Sequence, residues 1–266
     1  AVAMLLLLSS VAQAGGFFAL PRGVRGVAQG GALVAGSDSP DALWYNPAGL
    51  TGAGNQLLLD FVLPIQGVDF ERINAGGTGM EDPYASPFAA DVVEPSVRGT
   101  SAPLPIPGFA YTHDFGLRDW NFGLAVMAPS ATLMNWPTTV VDPNTGETVS
   151  APQRYSILSM EGSAMAKLIL GGGYEVSDNL SLGASLGILT GRFQVQSAMS
   201  IHEAGFALGA PESESTDAIS DVVVPFFVSP NLSLGLVYRM GSFRIGLSAE
   251  TPTTLSGKAK VNVDLE

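Results

Sequence analysis

Along much of this chain, large apolar side chains fall on every second residue, with small or polar ones between them. Leu180, Leu182, Ala184, Leu186 and Ile188 alternate with Ser181, Gly183, Ser185 and Gly187. Phe243, Ile245, Leu247 and Ala249 alternate with Arg244, Gly246, Ser248 and Glu250. Leu232, Leu234, Leu236 and Tyr238 alternate with Ser233, Gly235, Val237 and Arg239, and Phe122, Leu124 and Val126 with Asn121, Gly123 and Ala125. A period of two puts successive side chains on opposite faces of a β-strand. Leu158, Met160, Ala164, Ala166, Leu168, Leu170 and Tyr174 share one parity, whereas Glu161, Ser163, Lys167 and Glu175 share the other. Phe109 and Tyr111 mark a further strand and Leu57 to Leu63 the first. The pattern predicts about seven strands, each with its charges on one face.

Composition says which medium those faces meet. Only 14% of residues are charged, against roughly 25% in soluble domains, and the mean hydropathy is +0.29. A spanning helix needs about 20 mostly apolar residues. The longest uncharged run, Trp120 to Val141, is broken by Pro129 and Pro137. Lipid tolerates only helices and closed barrels, because each backbone polar group needs a partner. The expected fold is therefore all-β, a transmembrane antiparallel β-barrel. Short connections at 115–120, 177–179 and 240–242 alternate with long ones at 64–107, 128–156 and 197–230, the rhythm of short inner turns and long outer loops. A soluble β-sandwich also alternates, but does not require that rhythm. An odd strand number does not close a single-chain barrel of the usual even count. The expectation is an incomplete barrel whose unpaired edges keep it from folding stably alone.

The ends and the totals add to this. Ala1 to Ala14 (AVAMLLLLSSVAQA) reads as the rear of a secretory signal peptide with an Ala-x-Ala cleavage site, the alternative being a short buried helix. Residues 15–54, rich in Gly and Ala and poor in alternation, are expected to form a small helical plug, and 55–266 the barrel wall. With no cysteine, thiolate chemistry is excluded. A net charge of −12 argues against nucleic acid, whose phosphates need clustered Lys and Arg. His113 and His202 stand far apart without a metal-ligand pattern, and there is no Gly-x-Ser-x-Gly elbow. No enzyme, metal or cofactor is expected. A barrel phospholipase would need His113 beside a hydroxyl on its own face.

Arg25-Gly26, Asp38 to Asp41 and Leu43-Trp44-Tyr45-Asn46-Pro47-Ala48-Gly49-Leu50 together resemble the N-terminal hatch of the FadL/TodX family of outer-membrane transporters of long-chain fatty acids and aromatic hydrocarbons. Phe122-Gly123-Leu124, Leu182 to Arg192 and Phe243 to Gly257 resemble its third, fifth and seventh strands. The likeness covers roughly the first 60% of a family member, whose complete barrel has about 14 strands. It implies a monomeric outer-membrane protein that captures hydrophobic molecules among its outer loops. They would pass to a deeper pocket and leave past the hatch or sideways into lipid.

The resemblance implies site residues too. Asn46, Pro47 and Ala48 match the hatch motif and would anchor it to the wall near a kink in the third strand, or form a plain turn. Phe17 and Phe18 fall where an apolar residue meets the deep pocket. Pro129 either kinks the third strand or opens the outer loop. Ile201, Phe206, Leu208, Phe226 and Phe227, with Val222 to Val224, are apolar in an otherwise polar connection, as binding patches are, or in part form the upper end of the sixth strand. Arg192 matches a basic position near a ligand carboxylate, or snorkels on the lipid face. Lys167, Arg239 and Arg244 read as lumenal, free for a carboxylate or paired with Glu161 and Glu250. Two other readings stay open: a structural or adhesive barrel, and a porin for polar solutes.

Overall fold

A computed structural model of the chain describes residues 22–65, 67–71, 95–101, 103, 105–128, 131–132, 134–155, 157–200, 217–253 and 260–265. Its strands are β1 (Gln56–Val62), β2 (Gly67–Phe70), β3 (Val97–Ser101), β4 (Ile106–His113), β5 (Trp120–Met127), β6 (Ala131–Thr132), β7 (Met134–Asn135), β8 (Thr139–Val141), β9 (Thr148–Ser150), β10 (Ser163–Ser177), β11 (Leu180–Ser200), β12 (Asp217–Met240), β13 (Phe243–Glu250) and β14 (Lys260–Leu265). The main sheet runs β1-β4-β5-β10-β11-β12-β13, with β6 on β10 and β14 on β12. Every pairing along it is antiparallel. Among the described residues the sheet does not close on itself; it is part of a barrel wall.

The register turns alternation into two unlike surfaces. Leu57, Tyr111, Leu124, Leu170, Leu186 and Leu232 lie side by side across six strands, each between 40 and 60% exposed. The neighbouring row, Thr112, Gly123, Gly171, Ser185, Ser233 and Glu250, faces the other way, and Thr112 is wholly buried. Water would penalise the first surface, at about 25 cal/mol per Å² of apolar area. Hydrocarbon would not. At the short-turn end the band finishes in rings: Trp120 packs on Tyr174 (centroids 4.7 Å) and Phe122 (5.7 Å), and His113 on Phe115 (4.7 Å). Aromatic girdles of this kind sit where a barrel leaves the hydrocarbon.

The seven wall strands stand where alternation puts them, with three differences. Leu158 to Met160 precede β10, and Ser159 makes only isolated bridges, to Asn135 and Gln196. The connection expected at 197–230 is mostly strand, since β11 and β12 stay paired out to Ser200 and Asp217. Polar residues there break the alternation because that part rises beyond the apolar band. The other long connections carry structure too: a β2-β3-β7 sheet and a β8–β9 hairpin, packed around Val97, Met134, Trp136 and Ala151.

Candidate functional site: the hatch and the inner wall

The stretch before β1 folds into α1 (Gly23–Ala28), α2 (Ala42–Tyr45) and a 3-10 helix, Pro47–Gly52, and packs on the inward face of the sheet. Its turns are held by a few specific bonds. The Tyr45 hydroxyl accepts from the Arg22 N–H and donates to the Arg22 carbonyl, both at 2.7 Å. At Gly26 a Cβ would collide with that hydroxyl.

Asn-Pro-Ala is the joint between hatch and wall. Asn46 is extended (φ −163°, ψ 106°), as a residue before proline prefers. Its Oδ1 accepts from the Ala48 N–H at 3.1 Å, capping the 3-10 helix, and Pro47 at the first position has no N–H to satisfy. The Asn46 amide is left to donate to the carbonyls of Val34 (2.7 Å), Leu236 (3.1 Å) and Leu247 (3.3 Å). The last two face each other across β12 and β13. The motif thus anchors on β11–β13, not beside the third strand as the resemblance implies. Leu43 lies there instead, against Gly123 of β5 and Gly171 of β10.

Backbone-to-backbone approach needs a wall without side chains. Gly173, Gly183 and Gly235 stand in register on β10, β11 and β12. A Cβ on Gly183 would overlap Ala48 N and Pro47 C, one on Gly235 would overlap Asn46 Oδ1, and one on Gly246 would overlap Val34 O and come within 2.6 Å of Ala35 Cα. Alternation shows these positions facing inward; it does not show that they form a cradle.

Polar ties complete the seal. Thr51 donates to Ala48 O (3.1 Å) and shares a bond with Ser181 Oγ (2.9 Å), while Arg239 donates to Ser181 Oγ (2.7 Å) and Thr51 Oγ1 (3.2 Å). Gly54 O accepts from Thr112 Oγ1 (2.7 Å) and Asn121 Nδ2 (2.9 Å). Asp38 accepts from Arg25 (2.6 Å) and from Arg244 of β13 (3.3 Å). Lys167 pairs with Glu250 at 2.7 Å, its ammonium 5.5 Å from the centre of the Trp44 ring. Of the expected lumenal pairs, Lys167–Glu250 forms. Arg239 and Arg244 instead hold the hatch, and Glu161 lies exposed before β10.

Replacing Asn46 by alanine removes two amide N–H donors, shared among three carbonyls, and the cap at a fully buried position. The expected loss is about 1–3 kcal/mol of hatch docking, read as faster amide exchange in 34–52. Asn46→Asp should be worse despite its shape, since a carboxylate cannot donate to three carbonyls. Equal exchange in both variants would contradict this assignment.

Burial opposes ionisation of Asp38, but its hydrogen bonds from Arg25 and Arg244 outweigh that and hold the carboxyl below the usual aspartate range. A depressed carboxylate stabilises fully above its unfolded value, about 3.9, and the effect fades as pH falls through the folded one. Hatch docking should therefore be flat from pH 8 to 5, loosening only below about 4. An Asp38→Asn variant should lose that acid step, as followed by Trp44 emission.

Deeper toward the long-loop end, the inward face becomes apolar. Met165, Leu189 and Phe227 cluster, with Phe193 and Val224 packed on them. Below, Leu43 and Leu50 of the hatch meet Ala110, Ala125, Met127 and Ile169. The candidates Phe226 and Phe227 sit in strand β12 instead of a loop, and on opposite faces: Phe227 is buried inward, Phe226 is 65% exposed outward. Phe17, Phe18, Pro129, Ile201, Phe206, Leu208 and residues 1–14 lie outside the described residues, as does His202. His113 accepts from the Phe115 N–H through Nδ1 (2.7 Å) within the aromatic girdle. Arg192 is exposed at a register shift in β11 and donates to Gln194 Oε1 (2.8 Å).

An antiparallel wall, apolar outside and stoppered inside by the segment that precedes its first strand, defines a plugged transmembrane β-barrel. Its fold is FadL-like: a crystal structure of a Pseudomonas aeruginosa FadL homologue is similar with a TM-score of 0.52 and 17% sequence identity, over 82% of this chain and 49% of that one. The chain spans about half the length of that structure. No family model and no curated protein matches the chain.

Proposed function

We propose that this chain is the hatch and N-terminal wall of a passive outer-membrane channel for hydrophobic compounds, long-chain fatty acids or aromatic hydrocarbons among them. The observation that carries the reading is the inner face: a bonded plug with an apolar cluster, Met165, Leu189 and Phe227, on the wall above it. Transfer from water is worth about 0.8 kcal/mol per CH₂, so successively better apolar sites move such a solute without ATP. The fold match supports the bacterial outer membrane as its location, and the leader-like Ala1 to Ala14 supports export.

Two routes past the hatch fit this reading: movement of the plug, or lateral exit through the wall. Supporting the second, β5 pairs with β10 at Met127↔Lys167, and β6 resumes at Ala131↔Ala164. Between those pairs four residue steps on the β5–β6 side face three on β10, a bulge-type mismatch in the ladder. A porin for polar solutes needs an open, wet lumen, and the bonded plug favours uptake over it. The test is to incubate the complete protein in detergent with a labelled fatty acid and with toluene. Saturable binding of either supports uptake; binding of neither leaves a structural or adhesive barrel.

A further inference from the structure

Arg22, on the hatch, is fully buried, and none of its three guanidinium nitrogens has a hydrogen-bond partner. Arginine does not shed its proton in proteins, and a buried unpaired charge is costly. Asp60 of β1 lies against the next residue of the hatch, Gly23. Asp60 is also buried. Its Oδ2 accepts from the Gly23 N–H at 3.0 Å, while its Oδ1 has no partner. Gly108 of β4 makes room for that carboxylate, since a Cβ there would overlap Oδ1. Hatch and wall thus bring together strong donors and a free acceptor that do not satisfy one another.

The apolar surroundings of this pair suggest its use. Asp60, Gly108 and Met127 lie in one row across β1, β4 and β5, and Met127, with Leu58 of β1, belongs to the apolar cluster around Leu43 and Leu50. We propose that Arg22 and Asp60 form a subsite for an uncharged oxygen function, such as the hydroxyl of a long-chain alcohol, on an otherwise apolar ligand. The inference rests on the uptake reading. A hydroxyl accepts from the guanidinium and donates to Asp60 Oδ1. A carboxylate satisfies Arg22 but brings a second negative charge beside Asp60, and a hydrocarbon satisfies neither group.

The test is calorimetric titration of the complete protein in detergent with 1-decanol, decanoate and decane. The wild type is expected to bind decanol about tenfold more tightly than either other probe, the scale of one hydrogen bond to a charged group. Arg22→Met should erase the advantage of decanol over decane while decane binding persists, which shows the variant is folded. Asp60→Asn should raise decanoate affinity about tenfold by leaving Arg22 unopposed. Equal binding of decanol and decane by the wild type overturns the subsite alone. So does decanoate binding most tightly, or a ranking unmoved by both substitutions, the mark of a site that holds only water. Binding of none of the three overturns the uptake reading with it.

Discussion

Gly183→Val and Gly235→Val should each expel the hatch while leaving the wall standing. Valine suits a strand better than glycine does, so β11 and β12 have no local reason to fail. The obstacle is on the inside, where the new Cβ would occupy the space of Ala48 N and Pro47 C, or of Asn46 Oδ1. Overpacking a core commonly costs about 1–3 kcal/mol because flexible side chains move aside. Here the neighbours are backbone and the amide of Asn46, itself held by four hydrogen bonds. The effect should therefore reach the top of that range and appear as one event: loss of docking for residues 22–55. Trypsin should cut at Arg25 in the variant barrel and not in the wild type, while the band on an unheated gel stays compact. Ala184→Val, one residue along and facing outward, is the matched control and should change neither property. A Gly183→Val protein whose hatch resists trypsin as the wild type does would remove the cradle from this account.

What alternation can and cannot convey explains how the cradle escaped the sequence. Period two assigns faces, and the faces of β1, β4, β5, β10, β11, β12 and β13 follow it. A short turn also fixes pairing: Gly173 and Gly183 lie opposite because the turn at 178–179 sets their register. No short turn sets Gly183 against Gly235, and the meaning of the glycine row depends on a partner that alternation does not see. The anchor of Asn46 on Leu236 and Leu247 spans about 200 residues of chain, and no local rule predicts which wall a plug will face. The lengths of β11 and β12 escaped for another reason. Beyond the bilayer both faces meet water, so the alternation fades while backbone pairing continues. Arg22 sits in a small-residue stretch, and a lone arginine before a glycine carries no pattern.

Putting an arginine at Leu170 tests the other half of the assignment, the medium outside. Leu170 is 60% exposed in the middle of the outward row, between Leu124 and Leu186. In a soluble sandwich an exposed leucine exchanged for arginine changes stability by less than about 0.5 kcal/mol. In a barrel wall the same exchange near the bilayer midplane costs about 2–4 kcal/mol, falling to about 0–1 near the interface. Leu182 supplies the second point: it pairs with Tyr174 of β10, whose ring packs on Trp120 in the girdle, so Leu182→Arg should be the milder change. Reversible unfolding in lipid vesicles of the complete protein should rank Leu170→Arg well below Leu182→Arg, with both differences shrinking in detergent, where the micelle adapts to the charge. Equal and small losses at the two positions would mean that depth has no bearing on cost. The outer band would then face water or another protein, and the hatch would be sealing something other than a passage through a membrane.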